Sequence, residues 1–297
     1  MAAVKQAAGT VIGGLVCGLP PLRAYKARLL STWTDPQGRG GLDRLIFSPV
    51  FRFWQEHEYL AEADPDRREM LKDSVMGSEA GARWAAHYDE RPLDFDAPVG
   101  ALTMRVVCPV LTDLDERLRS VAAEALILQV GSSSGRELAW LASRHPGHRF
   151  LGIDIYKEVV DYAAKRHAGT NLAFSVHSAK DAADLAGRHG AKPVFVFSSG
   201  SLQYVQPEHL QALFDRLAAL PDAEIHLAEP ASETGGSPLE LSGSRWMGNM
   251  AYNHDYGYYA RKSGMTDVRA GVVRPYVPAE RFPSHAGTVS YLLRARK

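Results

Sequence analysis

Residues 125–142 run as Ala-Leu-Ile-Leu-Gln-Val, turn through Gly-Ser-Ser-Ser-Gly, and continue as Arg-Glu-Leu-Ala-Trp-Leu-Ala. An apolar run that enters a small-residue turn and leaves with helical period is how an open parallel sheet begins. Nineteen residues beyond Gly135, a second apolar run ends in an acid, Asp154. Together these features build a nucleoside pocket. Glycine and serine let the backbone approach a ligand, and a carboxylate at the next strand's end accepts from ribose hydroxyls.

The rest of the chain after residue 120 alternates in the same way. Strands are expected at 125–130, 149–153, 172–176, 193–197 and 224–228, with helices at 135–143, 157–167, 179–188 and 207–220 between them. In the last of these, Pro207 suits a first turn, and Leu210, Leu213, Phe214 and Leu217 keep the helical period. A helix over 252–263 and two strands at 267–273 and 288–294 close the chain, and the two strands pair antiparallel because no helix separates them. The fold expected is α/β, a Rossmann-like doubly wound sheet of seven strands with an antiparallel C-terminal strand.

Before residue 120 the pattern is mainly helical, and the organisation expected is a leader over 1–30, a helical cap or lid over 31–120 and the sheet domain over 121–297. Ser48 and Pro49 read as a helix cap and first turn, with Phe47, Val50, Phe51 and Trp54 on one face. Further helices are read from Asp64 to about Asp73 and over 78–88, and a short strand over 104–110. The aromatic residues Trp33, Phe47, Phe51, Phe53, Trp54, Tyr59, Trp84 and Tyr88 are read as the contact between cap and sheet domain, or alternatively as the lining of a lid.

Composition excludes some functions. Thirty-four basic and 34 acidic residues give a net charge of zero, so no electrostatic case exists for binding nucleic acid. The spread is uneven: residues 1–52 hold seven Lys/Arg against two Asp, and residues 53–100 hold twelve acids against five bases. These stretches are read as meeting one another. Cys17 and Cys108 are the only cysteines, too few for a disulfide framework or a zinc site, and suit the cytoplasm. Lys5 precedes an apolar run over 7–19 that is too short to span a bilayer, which leaves at most a weak membrane contact at the N-terminus. The spacings Gly9-xxx-Gly13 and Gly14-xxx-Gly18 resemble those of packed membrane helices.

The 131–135 turn fits two further patterns. As Gly-x-Ser-x-Gly it would make Ser133 a hydrolase nucleophile, with Asp222 or Asp255 and His254 or His285 as partners, but that elbow needs several strands before it. A dinucleotide fingerprint, Gly-x-Gly-x-x-Gly, would place its third glycine at Arg136. A ligand without a pyrophosphate fits better.

On these residues the chain, over 120–297, resembles the class I S-adenosylmethionine-dependent methyltransferases. The family's acid-x-Gly-x-Gly-x-Gly loop meets Gln129 in place of the acid and Ser133 in place of the middle glycine. The resemblance implies S-adenosylmethionine as cofactor, with Gln129, Gly131, Ser133 and Gly135 against it, Asp154 on the ribose and Ile155 beside the adenine. Ser178 follows the third strand where the family often has an acid, with Asp181 close by. Ser198 and Ser199 open the segment that faces the methionine part. A sulfonium is already activated, so catalysis is mainly alignment and exclusion of water, with a base needed only for a protonated acceptor. Candidates are His254 and Tyr204, with Asn253 or Gln203 orienting, and Ser199, Ser201 or Tyr204 would hold the amine if the cofactor attacks itself. No residue set has metal-ligand spacing.

Two reactions follow, methyl transfer to a separate small molecule such as a secondary metabolite, or use of the cofactor as sole substrate. The helical N-terminal segment, its aromatic residues and the serine-rich pocket also resemble, in plan only, azetidine-2-carboxylate synthases, which displace methylthioadenosine by attack of the cofactor's own amino group. Gln129 and Ser133, as departures from the motif, motivate a third reading as a non-catalytic binding protein. The sequence leaves the oligomeric state open.

Overall fold

The computed structural model describes residues 2–33, 39–76, 78–90, 93, 95, 107–167, 169–190, 192–232, 237–273 and 288–297. Two compact units divide the chain, Met1–Ala85 with Gly248–Met250, and Ala86–Met247 with Ala251–Lys297. The first is helical: α1 (Ala2–Gly18), α2 (Arg23–Ser31), α3 (Gly41–Trp54), which runs on as a π-helical turn at Gln55–Tyr59, α4 (Pro65–Met76) and most of α5 (Ser78–Asp89).

Glycine decides how α1 and α3 meet. A Cβ at Gly13 would lie 2.4 Å from the Phe53 Cβ and 2.9 Å from the Pro49 carbonyl, so only glycine admits this approach. A Cβ at Gly9 would lie 3.7 Å from the Pro49 Cβ, an ordinary contact. The small-residue spacing therefore serves packing inside the unit. Trp33, Phe47 and Phe51 form a stack, with Trp33 and Phe51 centroids 4.3 Å apart, and Trp54 and Tyr59 continue it, nearly or fully buried. These rings form the unit's own core. The side chains of Trp84 and Tyr88 lie outside the described residues. Lys26 pairs with Glu58 at 3.0 Å, one link between the basic and acidic stretches. Among the described residues no single helix is long and apolar enough to cross a membrane; residues 7–18 and 20–31 form a pair bent by 92°.

Ser48 and Pro49 sit inside α3 and do not begin it. Proline is tolerated there at the loss of one helical hydrogen bond, and its local signal is the same as at a first turn. Residues 107–110, expected as strand, open α6 (Val107–Arg119), while 104–106 lie outside the described residues. Val110, Leu111, Leu114 and Leu118 follow the helical period and pack with Ile127, Phe195 and Phe197 of the sheet, so α6 belongs to the second unit.

In the second unit the expected alternation forms β1 (Leu126–Val130), α7 (Arg136–Arg144), β2 (Arg149–Asp154), α8 (Lys157–Arg166), β3 (Leu172–Val176), α9 (Ala182–His189), β4 (Val194–Ser199), α10 (Pro207–Ala219) and β5 (Ala223–Ser232). A two-stranded sheet, β6 (Ser244–Gly248) and β7 (Ala251–His254), precedes α11 (Tyr256–Lys262), β8 (Asp267–Val273) and β9 (Thr288–Arg296). The helix expected to start at residue 252 thus starts at 256, because 251–254 pair as a strand and Asp255 caps α11 by accepting from the Tyr258 amide at 3.0 Å.

The seven-stranded sheet has the order β3-β2-β1-β4-β5-β9-β8, parallel through β5, with β9 antiparallel to both neighbours. Leu126, Leu128 and Val130 face the core under α9, α10 and α11, whereas Ile127 faces the core under α6 and α7. With both faces covered, the central strands need continuous apolar runs, the pattern that the sequence presents. The order reverses between β1 and β4, and in such sheets ligands bind outside the carboxyl ends of the strands at that crevice.

Candidate functional site

The parallel register sets Val130 beside Ile153 on one side and Ser198 on the other. The 131–135 loop therefore leaves β1 between the ends of β2 and β4. Gly131, Ser133 and Gly135 all have positive φ, +71°, +47° and +77°. A Cβ at Gly131 would lie 1.9 Å from the Ser201 Oγ, and one at Gly135 2.5 Å from the Phe174 ring, so both positions require glycine. The Gly131 and Ser132 amides both donate to the Ile153 carbonyl, at 2.8 and 2.9 Å, which ties the loop to β2.

Asp154 stands at the carboxyl end of β2. Its carboxylate accepts from the Ser133 amide at 3.1 Å and the Tyr156 amide at 3.3 Å. Burial pushes this carboxyl upward, against those backbone bonds. Ser133, in left-handed conformation without being glycine, is held there by that bond. Ile155 is half-buried beside it. The His177 amide donates to the Asp154 carbonyl at 3.0 Å and brings Ser178 to the same edge, but the Ser178 hydroxyl and amide are engaged with the Asp181 carboxylate. Asp181 is thus spent as a cap for the turn after β3.

Gln129 does not face the crevice. It is buried beneath the loop, and its amide nitrogen donates to Glu137 Oε2 at 3.2 Å. Glu137, at the start of α7, thus brings a carboxylate to the place where the strand itself lacks one, with the Arg136 guanidinium 3.4 Å from its other oxygen. Sequence reasoning passed over Glu137 because a helix's first turn ordinarily carries acids.

At the end of β4, Ser198 and Ser199 lie beside the loop, followed by Gly200 at φ +76°. Ser199 is half-buried, whereas Ser198 is fully buried and donates to Glu229 Oε1 at 2.7 Å. Glu229, on β5, is buried completely, and burial pushes its carboxyl up to about 7 against the donors around it. It was not anticipated from the sequence. The available signal was an acid inside the apolar strand Ile225-His-Leu-Ala-Glu. Tyr204 is half-buried, with its hydroxyl held toward the neutral form by burial and by Glu229.

His254 and Asn253 sit on β7, in the two-stranded sheet. Burial pushes His254 down to about 3, outweighing the Leu202 and Val205 carbonyls that face it, and its Nδ1 is engaged by the Ser244 hydroxyl. A ring that stays neutral and fully packed is a poor proton acceptor near pH 7, so the expected base role gives way to a structural one. Asn253 donates to the Ser232 carbonyl at 2.7 Å and so pins β7 to the end of β5. The hydrolase reading fails on topology: the loop follows the first strand, Asp222 lies at the opposite end of the sheet before β5, and Asp255 accepts from Tyr291 at 2.7 Å. His285 lies outside the described residues.

The residues brought to one edge fit an adenosyl cofactor. The loop's positive φ values bring backbone close, the buried hydroxyls of Ser132 and Ser134 find no hydrogen-bond partner among the described residues, and Asp154 keeps acceptor capacity beyond its bonds from the Ser133, Ile155 and Tyr156 amides.

A family model described as "Methyltransferase domain" matches residues 127–221. No curated protein sequence matches the chain. Among solved structures the chain is similar to phosphoethanolamine N-methyltransferase 2 of Haemonchus contortus in complex with S-adenosyl-L-methionine. The identity is 13% and the TM-score 0.51, over 77% of this chain and 59% of that one. It is also similar to magnesium protoporphyrin IX methyltransferase of Synechocystis PCC 6803 with bound SAH, at 17% identity and TM-score 0.49, over 77% and 100% of the two chains. A TehB-like methyltransferase of Corynebacterium glutamicum matches at 16% identity and TM-score 0.38, over 62% and 86%. At these identities the likeness is one of fold. Residues 127–221 thus match a methyltransferase domain, and the sheet order, with the loop built on Gly131 and Asp154, gives this chain the fold of the Haemonchus contortus enzyme.

Proposed function

We propose that this protein transfers the methyl group of S-adenosylmethionine to a small-molecule acceptor in the cytoplasm. The observation that carries the reading is the Asp154 carboxylate, placed one strand from the Gly131 loop and on the other side of that loop from Ser198 and Ser199. Asp154 would hold the ribose hydroxyls, Ile155 would cover one side of the adenine, and Ser199 and Ser201 would flank the methionine end. When bound, the cofactor supplies an activated methyl on a sulfonium, so the chain's task is to align the acceptor and keep water out. Tyr204 is the hydroxyl beside that end which can orient the acceptor, and it acts as a hydrogen-bond donor because burial and Glu229 keep its proton on. The balanced charge of the chain favours a small molecule over nucleic acid as acceptor.

The test is an incubation with S-adenosylmethionine and a panel of amine, phenol and carboxylic acid acceptors, followed by chromatography. S-adenosylhomocysteine formed only with an acceptor supports methyl transfer. Methylthioadenosine released without any acceptor would mark the cofactor as the sole substrate. No binding of S-adenosylmethionine by calorimetry would leave a protein that kept the fold alone.

A further inference from the structure

Glu229 has more donors around it than any other buried carboxylate described above, and the proposed function uses only its charge, on Tyr204. Its Oε1 accepts from the Ser198 hydroxyl at 2.7 Å and the Ser201 amide at 3.3 Å, and its Oε2 from the Gln203 amide at 3.3 Å. The Leu202 amide donates to it as well. Four donors on two oxygens fill the acceptor capacity of a carboxylate, so none is left for a substrate. A catalytic base is therefore excluded, and the arrangement is that of a fastener. Strand β5 supplies the charge that caps the turn Leu202–Tyr204 after β4.

That turn is not remote from the cofactor loop. Ser201, the residue whose amide Glu229 holds, fills the space over Gly131, where a Cβ would meet its Oγ at 1.9 Å, and the same hydroxyl reaches the Gly131 carbonyl at 3.5 Å. The chain of contacts runs Glu229 to the Ser201 amide, and Ser201 to Gly131. We propose that Glu229 is a positioning residue that fastens the Ser201–Gln203 turn and through Ser201 sets one wall of the cofactor loop. The proposal rests on the reading of the Gly131 loop as the cofactor loop.

The fastening follows pH. The titratable groups that face Glu229 are Tyr204, Tyr256 on α11 and Tyr291, its register partner on β9. Burial pushes all three tyrosines upward, so they are neutral near pH 7, and Asp255 is engaged by Tyr291. No cation answers the charge among the groups that shift it. Burial holds the Glu229 carboxyl up at about 7, and a proton on either oxygen removes an acceptor from the turn.

Amide hydrogen exchange in the ligand-free protein, corrected for intrinsic rates between pH 5.5 and 8.5, reads the clamp. The Ser201, Leu202 and Gln203 amides should lose about tenfold protection as pH falls through 7, and Glu229→Gln should show the low protection throughout. Ser198→Ala removes a donor to the ionised form without touching the turn, so the midpoint should move to higher pH. Equal protection in Glu229→Gln and wild type, or a midpoint that Ser198→Ala leaves in place, overturns the clamp. In parallel, the affinity for S-adenosylhomocysteine at pH 8 should fall about tenfold in Glu229→Gln. Unchanged affinity with lost protection overturns the coupling to the cofactor loop. Wild-type protein that shows the clamp by exchange but binds no S-adenosylhomocysteine overturns the cofactor reading instead.

Discussion

At the scale of single residues, the site depends on positions where one atom more is too many. Gly131→Ala places a methyl group against Ser201 and forces a residue with a side chain to φ +71°. The strain alone costs about 1–3 kcal/mol. The variant is expected to melt at lower temperature and to lose cofactor binding together, and calorimetry on folded Gly131→Ala that found wild-type affinity would remove the loop from the site. Asp154→Ala deletes the partner of the Ser133 amide as well as the proposed ribose acceptor. A charge-assisted hydrogen bond contributes roughly 1.5–3 kcal/mol. Affinity for S-adenosylhomocysteine should therefore fall by more than tenfold, and an unchanged value would contradict the assignment of β2. Gln129 shows the limit of reading residues singly. In the sequence it is a missing acid, while in the fold its amide holds Glu137, which supplies one.

At the scale of elements, the N-terminal helices turn a membrane-like spacing to a different use. Gly13 is required because α1 crosses α3 with Phe53 against its backbone. Gly13→Ala should destabilise the unit by about 1–3 kcal/mol, the usual cost of overpacking. A thermal melt indistinguishable from wild type would mean that the two helices do not pack in this way. The strand starting at residue 251 illustrates why elements are misread locally. Tyr252, His254 and Tyr256 carry the ring content of either a strand or a helix, and the pairing of β7 with β6, which starts seven residues earlier, decides between them. The start of α3 was hidden for a related reason, since a proline looks the same to its neighbours at a first turn and in a helix interior.

At the scale of the whole molecule, buried carboxylates of opposite tendency shape stability with pH. Near the start of β5, burial works to raise Glu224, but His226, Arg117 and Arg294 outweigh it and bring the carboxyl down to about 2. Asp113, on the other side of the His226 ring at 2.8 Å, is lowered too, chiefly by that contact. Groups with depressed folded values stabilise above their unfolded value, so this contribution is lost as pH falls from about 4.5 toward 2. Glu229 works in the opposite sense. Its folded value of about 7 lies above the ordinary 4.5, so stability declines as pH rises between the two and is level beyond. Urea unfolding across pH should therefore show a maximum near pH 4.5–5, with the upper limb flattened in Glu229→Gln. His226→Leu leaves two carboxylates without their shared partner and should lose on the order of 3 kcal/mol at pH 7. A stability curve that rose steadily from pH 5 to 8 would contradict this account of Glu229. By itself the sequence determined the alternation of strands and helices, the seven-stranded sheet and the glycine loop followed by an acid at the end of the next strand, because these are written in local period and in glycine placement. Only the tertiary structure decided that His254 is packed and neutral, that the aromatic residues of the helical unit stack on one another, and that Glu229 holds the turn beside Gly131. Burial and long-range pairing set those outcomes, and neither leaves a mark in the spacing of neighbouring residues.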